Sequence, residues 1–272
     1  MPQNPSNKDY GASTVGFFVD KDNPLAAARL AVKGRSRVTI TGYNPDIDTG
    51  TVPETLWPVG GLYAWKPSAG HLEVVSSSAN DAVAGTGAQT VFIDGLDAGF
   101  NPISETLPLN GLTAVVTANQ YYRVNGFYCV TVGATGATAG NAGNITLRDQ
   151  GAGTTRSYIE AGIGIARQAI YTVPVGSSLY LNSGSAAIDG ATASAQAAEL
   201  ALIIRMPGQC PLVTFPVNIH TYAGTISIQR GNDMPVTLDA GADIEVRTVI
   251  VSTNNVPVQC FLSAVLILES EN

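Results

Sequence analysis

The feature that most constrains this chain is a two-residue hydrophobic period, recurring in short runs set between turn residues. In VPVQCFLSAVLILES, Val256, Val258, Cys260, Leu262, Ala264, Leu266 and Leu268 share one parity. In YYRVNGFYCVTV, Val124, Tyr128, Val130 and Val132 share one parity, while Arg123, Asn125 and Thr131 share the other. In ISETLPLN, Ile103, Leu107 and Leu109 oppose Ser104, Thr106 and Asn110. Successive side chains of a strand point to opposite faces, so this alternation marks strands with one face in a core. The turn clusters GTG, DGLDAGFNP and LNG separate the runs at short intervals. Several short strands at that spacing predict a sandwich or a barrel. After Phe261 both parities are apolar, which predicts burial on both faces there, with a neighbouring subunit as a candidate cover.

These runs predict an all-β chain of two antiparallel β-sandwich domains with an extended N-terminal arm, the C-terminal sandwich being jelly-roll-like. Residues 1–61 read as the arm and an irregular segment. Within them NPLAAARLAVKG has the punctuation of a short helix, with Asn23 as cap, Pro24 in the first turn and Gly34 at the stop. One strand, Arg37–Thr41, then precedes a long loop of Asp, Pro and Gly. Residues 62–157 read as the first sandwich, closing in a Gly/Ala-rich linker from 133 in which only NITLR resembles a strand. Residues 158–272 read as the second, with strands in AIYTVPV, SLYLNSG, AELALIIRM, LVTFPVNIHTY, GTISIQR, DIEVRTVIVS and the final run.

Charge narrows the classes of function. Only 13% of the 272 residues are charged, against roughly 25% in an average soluble domain. Such a surface is either covered by partners or kept soluble by Thr, Ser, Asn and Gly. The formal net charge is -7, whereas a nucleic-acid binder needs a basic stripe to neutralise phosphate. The nearest approach, Lys33, Arg35 and Arg37 in VKGRSRV, reads as a solvated strand face. The first residues hold no apolar signal region. The longest apolar runs, LALII at 200–204 and AVLIL at 264–268, fall far short of the roughly 20 residues of a membrane span. Neither a leader nor a membrane segment is expected.

The residues that usually carry chemistry are scattered. Cys129, Cys210 and Cys260 are odd in number and far apart, which disfavours a disulfide framework or a zinc site; Cys260 reads as a buried free thiol. His71 and His220 each stand alone beside a strand, on the surface or the rim. No GxSxG, HExxH or GxxxxGK[ST] motif occurs, and GATGATAG lacks the lysine of a phosphate cradle. Asp94, Asp97 and Asn101 in one loop, and Asp46 and Asp48 in another, are oxygen-rich in the manner calcium accepts. They are also simply what turns are made of. Asp94, Asp97 and Glu105 accordingly read as turn or strand-surface residues. Trp57, Tyr63 and Trp65 could stack on sugar rings, but anchoring a core or an interface is the favoured reading. No catalytic, cofactor-binding or metal-binding residue is expected, and no enzyme activity.

Four segments in order, GYNPDIDTGTVPETLWPVGGLYAW (42–65), VVSSSANDAVAGTGAQTVFIDGLDAGFNPISETLPLNG (74–111), YYRVNGFYCVTVG (121–133) and AIYTVPVGSSLYL (169–181), resemble successive blocks of a family of tailed-bacteriophage virion proteins. The resemblance covers about residues 42–181; the last 90 residues are recognisable only as β-rich. It implies a non-enzymatic virion component, assembled in the host bacterial cytoplasm, with no active-site residues to carry over. The implied partners are other virion proteins, namely the major capsid protein or portal and tail proteins, with neither nucleic acid nor membrane. A homo-oligomer is expected, a trimer by analogy with phage appendages. Low charge and a polar arm favour a decoration or cement protein on the head. The alternative is a neck or tail adaptor that anchors a fibre or meets a receptor.

Overall fold

The computed structural model describes residues 10–12, 18–20, 34–134, 136, 140–188, 196–206, 209–221 and 236–269. The alternating runs form strands, every pairing antiparallel. In chain order the first nine are β1 (Tyr10–Ala12), β2 (Phe18–Asp20), β3 (Arg35–Ile47), β4 (Glu54–Thr55), β5 (Gly70–Ser76), β6 (Ala88–Leu96), β7 (Pro102–Pro108), β8 (Val115–Tyr121) and β9 (Arg123–Val132). Then come β10 (Ile145–Asp149), β11 (Thr155–Ile159), β12 (Ile170–Thr172), β13 (Ser177–Ile188), β14 (Gln196–Arg205), β15 (Leu212–Thr221), β16 (Val236–Leu238), β17 (Asp243–Val251) and β18 (Val256–Leu268). The helix read over 23–33 and the strand read in GTISIQR lie outside the described residues, as does most of the arm.

Two sheets fill the first core. One has the order β11-β10-β5-β8 and the other β7-β6-β9. Leu72 and Val74 of β5 and Ile145 and Leu147 of β10 meet Val91 and Ile93 of β6 and Phe127 of β9. Two further sheets fill the second core: β12-β17-β14-β15, with β4 on β17, and β16-β13-β18-β3. Ile47, Ile188, Leu200, Val246 and Val258 form one cluster between them, and Leu179, Ile204, Ile244 and Ala264 another. The single parity read in the last run holds for Val256, Val258, Cys260 and Ala264. Val265 and Ile267 are buried on the opposite face, where Tyr180 packs against them.

Three boundaries differ from the expectation. First, the supposed irregular segment supplies strands to the C-terminal sheets, because β3 runs for 13 residues along β18 from Arg35↔Ile267 to Ile47↔Val256. Gly42, which looks like the start of a loop, is a strand residue in a tight place. A Cβ there would lie 2.4 Å from Ala169 Cβ and 2.7 Å from Leu56 O, well inside contact distance. Second, the Gly/Ala-rich stretch is no linker, for it contributes β10 and β11 to the first sheet. Its small residues permit close passage: a Cβ on Gly143 would lie 2.7 Å from the Ser78 N–H nitrogen. Third, the first core extends past 157, since Ile159 and Ala166 belong to it.

A buried polar junction ties the halves together. The Arg123 guanidinium on β9 donates to both carboxylate oxygens of Asp243 on β17, at 2.8 and 2.9 Å. Thr172 Oγ1 donates to Asp243 at 2.6 Å. Next to Asp243 in the same row, the fully buried Glu245 accepts from Arg205 and Arg247. Trp65 donates from Nε1 to Glu245 and lies against both Arg123 and Arg205.

Candidate interaction surface

The strand β9 decides which side chains reach solvent. Opposite it on β6, Gly95 pairs with Val124 but Asp94 pairs with Gly126, so Asn125 is an extra residue. A β-bulge of this kind shifts the side-chain parity along the strand. Val124 therefore faces the core, and after the bulge Phe127 and Cys129 face it instead. Tyr128, Val130 and Val132, grouped with Val124 by sequence parity, turn outward and are 39%, 50% and 38% exposed. Asn125 is not wasted: its side-chain amide donates to Thr172 O and its carbonyl accepts the Thr172 N–H, each at 2.9 Å.

The outward row is continuous. Thr106, Phe92 and Tyr128 are register partners across β7, β6 and β9, and Ile165 bridges Tyr128 from the far side. The Phe92 and Tyr128 rings lie 5.2 Å apart between centroids, and Ile165 is half exposed. Thr90 and Thr131 share a hydroxyl bond of 2.7 Å on the same sheet. Asp94 occupies the next row over Gly126. Burial raises its pKa, with the Gly95 N–H pulling the other way, and no ion pair to it occurs among the described residues. The surface is thus aromatic and aliphatic, rimmed by threonine, with one under-compensated anion.

The carboxylates singled out from sequence are not brought together. Asp97 accepts from the Gly99 and Asn101 N–H groups and from the Asn101 amide, closing its own loop. Glu105 accepts the Ala118 and Asn119 N–H groups, capping the outer edge of β8. Asp48 accepts the Asn255 N–H at 2.8 Å, and Asp46 donates its N–H to Asn44. No group of three or more His, Cys, Asp or Glu close enough to hold a metal occurs among the described residues. His71 Nδ1 lies 3.0 Å from Thr117 O beside its strand; His220 is on β15, and its side chain lies outside the described set. Trp57, Tyr63 and Trp65 pack edge to face, at 5.2 and 5.0 Å, and the Tyr63 hydroxyl donates to Arg156 O. They are anchors, their rings taken by protein neighbours.

Sequence reading missed Asp81. This carboxylate is fully buried and accepts the Ala88, Ala142 and Gly143 N–H groups and the Ser76 hydroxyl. It fastens three loops at one end of the first core. Near that end Ala82, Val83, Pro108, Leu109 and Val115 line an open depression of about 450 Å³, whose lining carries no titratable side chain.

No protein-family model matches the chain, and no curated protein sequence does. Among solved structures, the crystal structure of the infectious bursal disease virus VP2 subviral particle aligns over 88% of this chain and 73% of its own, at 10% identity and a TM-score of 0.19. A score that low carries no argument about fold or function. No helix among the described residues is long and apolar enough to cross a membrane.

What the described geometry offers is an exposed aromatic and aliphatic sheet face. A surface missed as core could have been suspected from Asn125-Gly126, because a glycine inside a strand pattern often marks a bulge.

Proposed function

We propose that this chain is a non-enzymatic structural protein of a tailed-bacteriophage virion, a decoration protein that binds and stabilises the capsid head lattice. The observation that carries this reading is the open Phe92–Tyr128–Ile165 face, held on a sheet whose reverse side is core. A contiguous exposed apolar patch marks a place where another protein sits. The sequence resemblance over 42–181 supplies the virion context. In this reading the two pairs of sheets are two sandwiches, the C-terminal one jelly-roll-like. A protein that binds the assembled lattice and not its free subunits stabilises the lattice by mass action, and repetition multiplies modest contacts.

The alternative is a neck or tail adaptor, favoured by the Arg123–Asp243 and Glu245 junction, which suits a rigid part that transmits load. Stoichiometry against the major capsid protein in purified particles decides. Lattice-scale copy number supports decoration; on the order of a dozen copies at one vertex moves the protein to the neck or tail. Absence from particles overturns both.

A further inference from the structure

One end of the first core carries a protrusion and a recess side by side, both of them apolar. We propose that two copies of this chain associate through this end about a two-fold axis, the Leu112 side chain of each copy seating in the depression of the other. The inference rests on the reading of the chain as an assembly component and names one of its contacts.

Leu112 and Val83 are 65% and 59% exposed, which makes them the two most exposed large apolar side chains among the described residues. The backbone beneath Leu112 is fixed. The Thr113 N–H donates to Asn110 O at 3.0 Å, and the Gly111 N–H donates to Asp81 O at 2.8 Å. Gly111 has a φ of 58°, in the left-handed region that glycine adopts without strain. Val83 is tied to the same turn, through the Ala82–Asn110 bridge and through its own N–H, which donates to Leu109 O. A protrusion already held in place loses little freedom on binding.

The recess is the depression of about 450 Å³, roomier than one leucine side chain needs. Leu112 stands on its rim, two residues from Asn110 and three from Val115, both of which line it. A small-molecule site brings several polar groups together to orient its ligand, whereas this lining offers one polar side chain, Asn110. Contiguous exposed apolar surface marks a protein contact instead.

Shape and charge select a second copy as that protein. A two-fold contact uses the same patch on both partners, so the patch must fit itself. A knob beside a hole of the same apolar character meets that condition. The patch must also not repel itself, although each copy has a formal net charge of -7. The lining holds no titratable side chain. Asp81, next to Ala82 in the chain, is fully buried and occupied by four internal donors.

The test uses full-length chains in analytical ultracentrifugation. The wild type should show a concentration-dependent dimer. Leu112→Asp, which spoils the knob, and Ala84→Trp, which fills the hole from an exposed lining position, should each weaken association at least tenfold. Both should melt near the wild type at low protein concentration; Val83→Asp replaces either variant that misfolds. Mixing Leu112→Asp with Ala84→Trp should give a heterodimer tighter than either homodimer, because the intact Leu112 of one then meets the intact depression of the other. A monomeric wild type, variants that dimerise as the wild type does, or a mixture no tighter than its parts would each overturn the proposal. Copy number on particles is measured separately, so failure here and failure of the virion reading are distinguishable.

Discussion

Arg123 and Asp243, 120 positions apart, are joined by two parallel hydrogen bonds across the junction of the two halves, and both side chains are less than a tenth exposed. Removing one partner of such a pair strands the other charge without solvent. Arg123→Met should cost about 3–5 kcal/mol in urea unfolding, and joint replacement by Arg123→Met with Asp243→Leu should recover part of that loss. Additive effects of the two substitutions would show that the pair is not coupled.

Asp81 makes a second test, of loops rather than halves. Its four donors are the Ala88, Ala142 and Gly143 N–H groups and the Ser76 hydroxyl. Asp81→Asn turns one acceptor into a donor facing a donor. Each buried N–H left unsatisfied costs about 1–3 kcal/mol, so the urea midpoint should fall strongly with little change in slope. An unchanged midpoint would remove Asp81 from its role as fastener.

Acid should loosen the molecule in a predictable direction. At Glu245 burial raises the pKa, but bonds from Arg247, Thr55 and Arg205 outweigh it and leave a net depression. At Asp149 burial is likewise outweighed by Arg156 and Lys66. At Glu73 the Gly151 N–H, aided by the Ala152 N–H and Arg148, depresses the pKa against burial. Each folded value lies below the unfolded one, so the stabilisation is present above the ordinary carboxylate range, about pH 4, and is lost as pH falls through the folded values. The melting temperature should be level above about pH 5 and fall below it. Glu245→Gln should flatten the acid decline; an identical decline would show that Glu245 does not contribute.

Asp94 has the opposite sign. Burial raises its pKa, so its charge costs stability at neutral pH and the cost is relieved as pH falls towards the raised value. Asp94→Asn should leave the free chain equally or more stable at pH 7, in a thermal melt at low protein concentration. A clear loss would mean that the carboxylate has a partner within the fold.

The three thiols should react in two classes. Burial pushes Cys129 up to about 11 and Cys260 up to about 12, keeping both protonated at pH 8, whereas Cys210 is exposed. Iodoacetamide under native conditions should add one label, at Cys210, and three after unfolding, read by intact mass. Rapid labelling of all three would show that the cores open easily.

Much of the fold is legible in residue order. Ile103, Leu107 and Leu109 face the first core, with Ser104, Thr106 and Asn110 outward, as their alternation predicts. The final run lies along its core by parity for the same reason. The misreadings cluster where composition stood in for pattern: glycine and alanine at 133–157 suggested a linker, and proline and aspartate after Thr41 suggested a loop. The small residues there serve close approach between backbones, as at Gly42 against Ala169 and Leu56, and closeness to a distant segment leaves no local trace.

The sequence by itself determined that the chain folds into antiparallel strands, because the two-residue period is a property of the backbone and needs no partner to be read. Tertiary structure alone decided which parity of β9 faces water, since the extra residue at Asn125 exists only relative to β6. It also decided that Arg123 meets Asp243 and that one carboxylate, Asp81, holds three loops. Those outcomes depend on pairing between segments far apart in the chain, and an order of residues does not state distances through space.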